Sequence, residues 1–318
     1  MKKITIIMAT LMAAMLWTGC QNTLEKEDPT SSEEKPVAVR DSVTLTIEAG
    51  KSVDTKALEL VNEGKTLNAF WRSGEEVKVF ATGSATAIGT LSATPKEDKT
   101  KATLSGNIDV TGLSADQTLI LLFPSATWSY EGQSGRLLHD EVNHPTWPSV
   151  EKNFDFARAE VTITEVSATS IITSSTTTFH NQQSIYRFGF RYGSTSGPTI
   201  RSKIVQLTSN QGQLAKNGNV LTGEITCFAP GEALVADLQE ALTSAEADAN
   251  TLLYFAIRNG NTTADDTFSF TIYDVDGATY KGDKLIPKEK LGSFVSAKTV
   301  ALNRLELLQY STNVTTAL

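Results

Sequence analysis

The stretch DSVTLTIEAGKSVDTKAL, Asp41–Leu58, decides the fold. Val43, Leu45 and Ile47 fall on one side of it; Thr44, Thr46 and Glu48 fall on the other. A period of two marks a half-buried strand. The second half is polar, holds Gly50, and carries Lys51 and Lys56. It reads as an exposed, flexible connector within reach of a protease. Burying three apolar side chains is worth about 1.5–3 kcal/mol each, roughly 5–9 kcal/mol in all. The net stability of a whole domain is only about 5–15 kcal/mol. If a cut in the connector let the strand leave, something would have to replace it. The alternative is an ordinary first strand followed by an uncut loop.

Upstream, Lys2 and Lys3 precede a mostly apolar run from Ile4 to Trp17. The run is short for a membrane span and sits at the N-terminus, as in a signal peptide covering residues 1–19. Leu16-Trp17-Thr18-Gly19-Cys20 resembles a bacterial lipoprotein box, which implies acylation of Cys20. Acyl chains anchor a protein to a leaflet without a spanning helix. Residues 20–40 then read as an acidic tether, with Glu25, Glu27, Asp28, Glu33 and Glu34 among Ser, Thr and Pro. Such a segment is too polar to pack a core. Acidic residues soon after the cysteine resemble an export signal to the outer face of the outer membrane.

The chain has 318 residues, 40% hydrophobic and 20% charged, with a formal net charge of −8. That balance suits a globular protein and argues against a nucleic-acid partner, which needs a basic surface. With Cys20 lipidated, Cys227 alone remains of two cysteines, so no internal disulfide is expected. Cys227 itself reads as a small buried hydrophobe.

Further strands are expected at Glu76–Phe80, Ile88–Leu91 and Ala102–Val110. Thr118–Phe123, TLILLF, is a continuous apolar run, as in a central strand covered on both faces. Ser125–Val150 reads as a long irregular loop, and the Ser/Thr tract Ser167–Thr178 as a domain boundary. The expected domains are 41–166 and 167–318. In Ser184–Tyr192 the aromatics Tyr186, Phe188, Phe190 and Tyr192 share one face. A core face explains them better than a sugar platform. Leu234, Leu238, Ala241 and Leu242 predict a helix over Gly231–Ala249. Asp276-Gly277 predicts a hairpin turn. The sum is an all-β class with one or two short helices and two packed sheets per domain.

Chemistry-bearing patterns are sparse. His139 and His144, with Asp140 or Glu141, match no standard zinc spacing. His180 is expected to pack or cap. Asp274-Val275-Asp276-Gly277 lacks the closing Glu of a calcium loop. No G-x-S-x-G, phosphate loop or dinucleotide fingerprint occurs, so neither enzyme activity nor a cofactor is expected. Trp128, Trp147 and Tyr130 lie in the long loop. They support an alternative reading, a surface lipoprotein that binds a glycan or host ligand.

Lys56-Ala57-Leu58 with Phe70-Trp71-Arg72-Ser73-Gly74-Glu75-Glu76-Val77-Lys78-Val79-Phe80 resembles the fimbrillin family, the lipoprotein subunits and accessory proteins of type V pili. Asn153-Phe154-Asp155-Phe156-Ala157 is similar to that family's later acidic motif. Thr178-Phe179-His180 followed by Tyr186-Arg187-Phe188 is similar to the opening of its second domain. The resemblance implies two transthyretin-like β-sandwich domains in tandem, a cell-surface lipoprotein of the outer membrane, and other pilus subunits, self or related, as partners. It also implies cleavage after a basic residue, here Lys56 before Ala57, where the family's pilins carry Arg. Arg40 is a second candidate, and cutting there would keep the first strand. At the other end, Leu308, Tyr310, Thr312, Val314, Thr316 and Leu318 alternate with polar neighbours. That alternation suits a donor strand, 308–318, added to a neighbour's open sheet.

Overall fold

A computed structural model describes residues 42–51, 57–61, 66–125, 129–130, 136–137, 146–167, 169–174, 176–192, 199–229, 232–243, 252–258, 260, 263–291 and 295–304. The chain opens with β1 (Ser42–Lys51), β2 (Ala57–Val61), β3 (Thr66–Phe70), β4 (Glu76–Ala81), β5 (Ala87–Pro95), β6 (Lys101–Asp109) and β7 (Thr118–Phe123). There follow β8 (Ser129–Tyr130), β9 (Arg136–Leu137), α1 (Trp147–Asn153), β10 (Ala157–Val166), β11 (Ile171–Thr173) and β12 (Thr176–Asn181). The second half holds β13 (Ser184–Tyr192), β14 (Arg201–Ser209), β15 (Ala215–Asn219), β16 (Ile225–Cys227) and β17 (Leu234–Thr243). It ends with β18 (Leu252–Ile257), β19 (Asp266–Asp274), β20 (Thr279–Ile286) and β21 (Val295–Arg304), with one 3₁₀ turn at Lys288–Lys290. The class is all-β.

The first sheet runs β11-β10-β12-β1-β6-β5-β4-β7. β10 pairs with β12 along one edge and with β7 along the other, so the seven strands from β10 round to β7 form a ring. The expected pair of facing sheets is therefore, in this half, one sheet joined to itself. Closure satisfies the main-chain groups that two open sheets would leave along their edges. The Ser/Thr tract Ser167–Thr178 contributes β11 and the start of β12 to this sheet.

The second sheet runs β18-β13-β21-β20-β19-β14-β17-β9. β13 and β19 stand three strands apart in it, yet their rings touch: Phe188 meets Phe270 at 4.8 Å and Tyr186 meets Phe268 at 5.1 Å between centroids. The sheet therefore curls over its own core, and the aromatic stripe of β13 is that core. The Asp276-Gly277 turn joins β19 to β20, with Gly277 at φ +81°.

TLILLF is covered on both faces, as its unbroken apolar run predicts. Leu119, Leu121 and Phe123 enter the first core; Ile120 and Leu122 enter a third cluster with Val150 of α1, Phe154 just after it and Ile185 of β13. This third cluster joins the two sheets.

The helix expected over Gly231–Ala249 is overturned: Leu234–Thr243 is β17, antiparallel to β14. Leu234, Ala236 and Leu238 are all buried, a period of two. The Leu234–Leu238 spacing of four fits both a helical face and a strand face, so it could not discriminate. Part of the expected irregular loop is likewise ordered. β8 pairs with β15 and β9 runs parallel to β17, so two short strands of the connection lie on the second half. Trp147 opens α1, with Pro148 in its first turn, where the ring's missing N–H costs nothing.

β5 and β6 approach closely. A Cβ on Gly106 would lie 2.2 Å from the Thr90 carbonyl oxygen, and one on Gly89 would lie 2.5 Å from that of Asn107. Gly106 also stands opposite Leu45 of β1. Gly106→Ala is expected to lower stability by about 1–3 kcal/mol in a denaturant titration; an unchanged midpoint would mean that the two strands part without cost.

Candidate functional site

The candidate site is the seat of the first strand. β1 pairs with β6 over nine consecutive residues, Ser42↔Asp109 to Gly50↔Lys101. On its other side only Glu48–Lys51 pair with β12, in parallel. Val43, Leu45, Ile47 and Ala49 are 4%, 0%, 2% and 1% exposed.

The parity continues one step beyond the expected strand. Lys51 is the last inward residue of β1, and its side chain is 0% exposed. This corrects the reading of Lys51 as part of an exposed connector. The residue takes the next inward position after Ala49, and a counter-charge waits there. Its Nζ donates to Glu75 Oε2 at 3.3 Å and to the Phe70 carbonyl oxygen at 3.4 Å. It also stands 4.1 Å from the Trp71 ring centroid and 4.0 Å from that of Phe123. An ammonium is attracted to the negative face of an aromatic ring, more so when both are out of water.

The surrounding residues come from separate parts of the chain. Ser73-Gly74, with Gly74 at φ +81°, turns the chain so that Glu75 folds back. Glu75 Oε2 also accepts from the Arg72 backbone N–H at 3.0 Å. Trp71 packs edge-on against Phe179 of β12 at 5.3 Å and Phe123 of β7 at 5.8 Å. Its indole N–H has no acceptor among the described groups. Asp155 follows α1 and is 8% exposed, and its Oδ1 has no hydrogen-bond partner. It lines a cavity of about 250 Å³ with Glu75, Phe123, Arg72, Glu151 and Asn153. Burial pushes the Asp155 carboxyl up from 3.8 to about 7; Lys51 and Arg72 draw it down, and Glu75 and Glu151 add repulsion. Arg72 Nη2 bridges to Glu151 Oε1 at 2.8 Å, and this pair also borders a larger cleft of about 810 Å³.

Three stretches singled out in the sequence thus meet at one place: Phe70–Phe80, Asn153–Ala157 and Thr178–His180. Glu75 and Asp155 went unrecognised as partners of Lys51. The usable signal was the odd-number parity from Val43 to Lys51, together with an aspartate set between Phe154 and Phe156.

The other sequence candidates are placed as follows. Ala57 begins β2, opposite Phe70. Cys20, Arg40, Lys56, the stretch Leu308–Leu318, Trp128, His139 and His144 lie outside the described residues. Tyr130 is in β8. Trp147 is half-buried against Tyr254, 5.7 Å between centroids, and belongs to the cluster between the sheets. His180 is exposed on β12 instead of packed; it pairs with Arg158 of β10, and its backbone carbonyl accepts from Gln182 Nε2. Cys227 is half-buried, and burial raises its thiol pKa. Among the described residues no group of three or more His, Cys, Asp or Glu is arranged to hold a metal. No described helix is long and apolar enough to cross a membrane.

No family model matches the chain, and no curated protein does. Among solved structures it is similar to a candidate cell adhesion protein from Bacteroides ovatus, with 18% identity, TM-score 0.44, and 82% of this chain and 96% of that one covered. A fimbrial protein from Bacteroides ovatus has 9% identity and TM-score 0.31; 82% of this chain covers 49% of it. The major pilin from Streptococcus pyogenes has 11% identity and TM-score 0.21, covering 82% of this chain and 97% of that one. Likenesses this loose assign neither family nor function.

The site makes three linked predictions. Asp155 stays protonated in the folded chain while its unfolded form ionises, so its contribution makes stability fall as pH rises from about 4 to about 7. Asp155→Asn should flatten that part of the profile, by roughly 2–4 kcal/mol across the window. Lys51→Met should cost roughly 2–4 kcal/mol near pH 8, because it leaves buried carboxylates without their cation. Adding Asp155→Asn to Lys51→Met should recover part of the loss, a coupling read from a double-mutant cycle in urea.

Proposed function

We propose that this chain is a structural or adhesive subunit of a cell-surface pilus, lipid-anchored through Cys20, that exchanges its first strand for one from a neighbour. The observation that carries the reading is β1 itself. It is wholly inward on one face and laddered along β6, and within six residues of its end comes the candidate cleavage point Lys56-Ala57. Cutting there detaches β1 from the body of the chain. Its departure opens a groove lined by the partners of Val43, Leu45 and Ile47 and bounded by the unpaired edges of β6 and β12. Exposed apolar surface flanked by free strand edges templates pairing with another chain. The alternating tail Leu308–Leu318 supplies a strand of the type such a groove accepts, offered to a neighbouring subunit. Two transthyretin-like units in tandem, with the export leader and acidic tether before them, complete the reading. It places the protein on the outer membrane surface with other pilus subunits as partners.

N-terminal sequencing of the cell-surface form should begin at Ala57. Assembly should be read as heat-resistant ladders on a gel of surface material; Lys56→Ala should abolish them, and Val314→Asp should shorten them. Cys20→Ala should leave the uncut form, the one that still carries residue 20, unanchored after a high-salt wash. Ladders of equal length from the Lys56→Ala protein would sink the idea that release of β1 is the switch.

A further inference from the structure

We infer that the groove holding β1 selects its occupant by charge as well as by shape: a replacing strand must carry a lysine or arginine at the position of Lys51. The inference rests on the strand-release reading, and it names the chemistry of the partner.

When β1 leaves, its ammonium leaves too. Glu75 remains, fixed by the Arg72 N–H at 3.0 Å. Asp155 remains, 8% exposed, with Oδ1 unpartnered. The rings of Trp71 and Phe123 remain as the walls that held the cation at 4.1 and 4.0 Å. Among the described residues no neighbour substitutes for it. The Arg72 guanidinium is bridged to Glu151 with its side chain 62% exposed, and Lys152, which also lines the Asp155 cavity, is exposed on α1. A neutral occupant would therefore seal two carboxylates against aromatic walls without a counter-charge, and an uncompensated buried charge is strongly unfavourable. An incoming ammonium satisfies Glu75, the Phe70 carbonyl and both ring faces at once.

The pattern demanded is three large apolar residues at alternate positions, a small one, then a cation: Val43, Leu45, Ile47, Ala49, Lys51. The tail of this chain meets only part of it. Laid in the same register, Leu308, Tyr310, Thr312 and Val314 take the apolar and small positions and Thr316 falls where the cation belongs. Leu308–Leu318 contains no lysine or arginine. The fitting partner is thus a strand of a different protein that ends its apolar alternation in a basic residue. The tail of a second copy of this chain is disfavoured as that strand.

The test uses the full chain cut after Lys56 and four labelled peptides: Ser42–Lys51, the same peptide with Lys51→Met, Leu308–Leu318, and that tail with Thr316→Lys. Near pH 8 the Ser42–Lys51 peptide should bind at least about tenfold tighter than its Lys51→Met form, and Thr316→Lys should tighten the tail by a similar factor. Near pH 5 both gaps should narrow, because burial raises the Asp155 carboxyl to about 7 and a protonated Asp155, faced by Glu75, Arg72, Glu151 and Lys152, asks for no counter-charge. Equal binding of the lysine and methionine peptides near pH 8 would overturn the inference and leave strand release standing. Failure of the Ser42–Lys51 peptide to enter the cut chain at any pH would bring down strand release and the charge rule together.

Discussion

A lysine amine closed off from water at the end of the first strand constrains everything near it. An ion that size is tolerated inside a protein only with counter-charge, hydrogen bonds and good geometry. Here Glu75, the Phe70 carbonyl and two ring faces supply them. Each supplier fixes a different part of the chain: the turn after Phe70, the end of β7, and through Trp71 the β12 strand. β1 is therefore held by more than apolar burial. Its last residue ties together elements that are distant in sequence, and the same residue supplies the charge that Glu75 and Asp155 require.

The rest of the architecture distributes burial unusually evenly. β7 and β13 are covered on both faces, one in each half, and they share the cluster that α1 completes. The connection after β7 adds β8 and β9 to the strands of the second half. In the first half, closure of the sheet leaves β11 as the appended strand beyond the ring. Removal of β1, one of the seven ring strands, would reopen a sheet that is otherwise joined to itself.

Much of this was legible in the sequence where one period dominated. Val43–Ile47, TLILLF, the aromatic face of β13 and the Asp276-Gly277 turn all follow from alternation, run length or turn chemistry. The failures have physical causes as well. Leu234 and Leu238 lie four apart, a spacing that strand and helix share, and pairing with β14 decided between them. Lys51 looked solvent-bound because lysines usually are. Its burial depends on Glu75, Asp155, Trp71 and Phe123, and nothing local reveals a partner twenty or more residues away. Ring closure through β10 was likewise invisible, since it is a matter of which edges meet and not of any one strand's pattern.

The nine-residue antiparallel ladder between β1 and β6 has a mechanical consequence. A pull along the axis of β1 loads its cross-strand hydrogen bonds in shear, so they resist together. A pull at right angles to it would peel them one after another. The buried ammonium at the far end adds an obstacle to sliding, because any shift in register drags a charge across apolar side chains. A strand seated in this way bears axial tension well and yields to unzipping, so the direction of force, as much as its size, sets how firmly it is held.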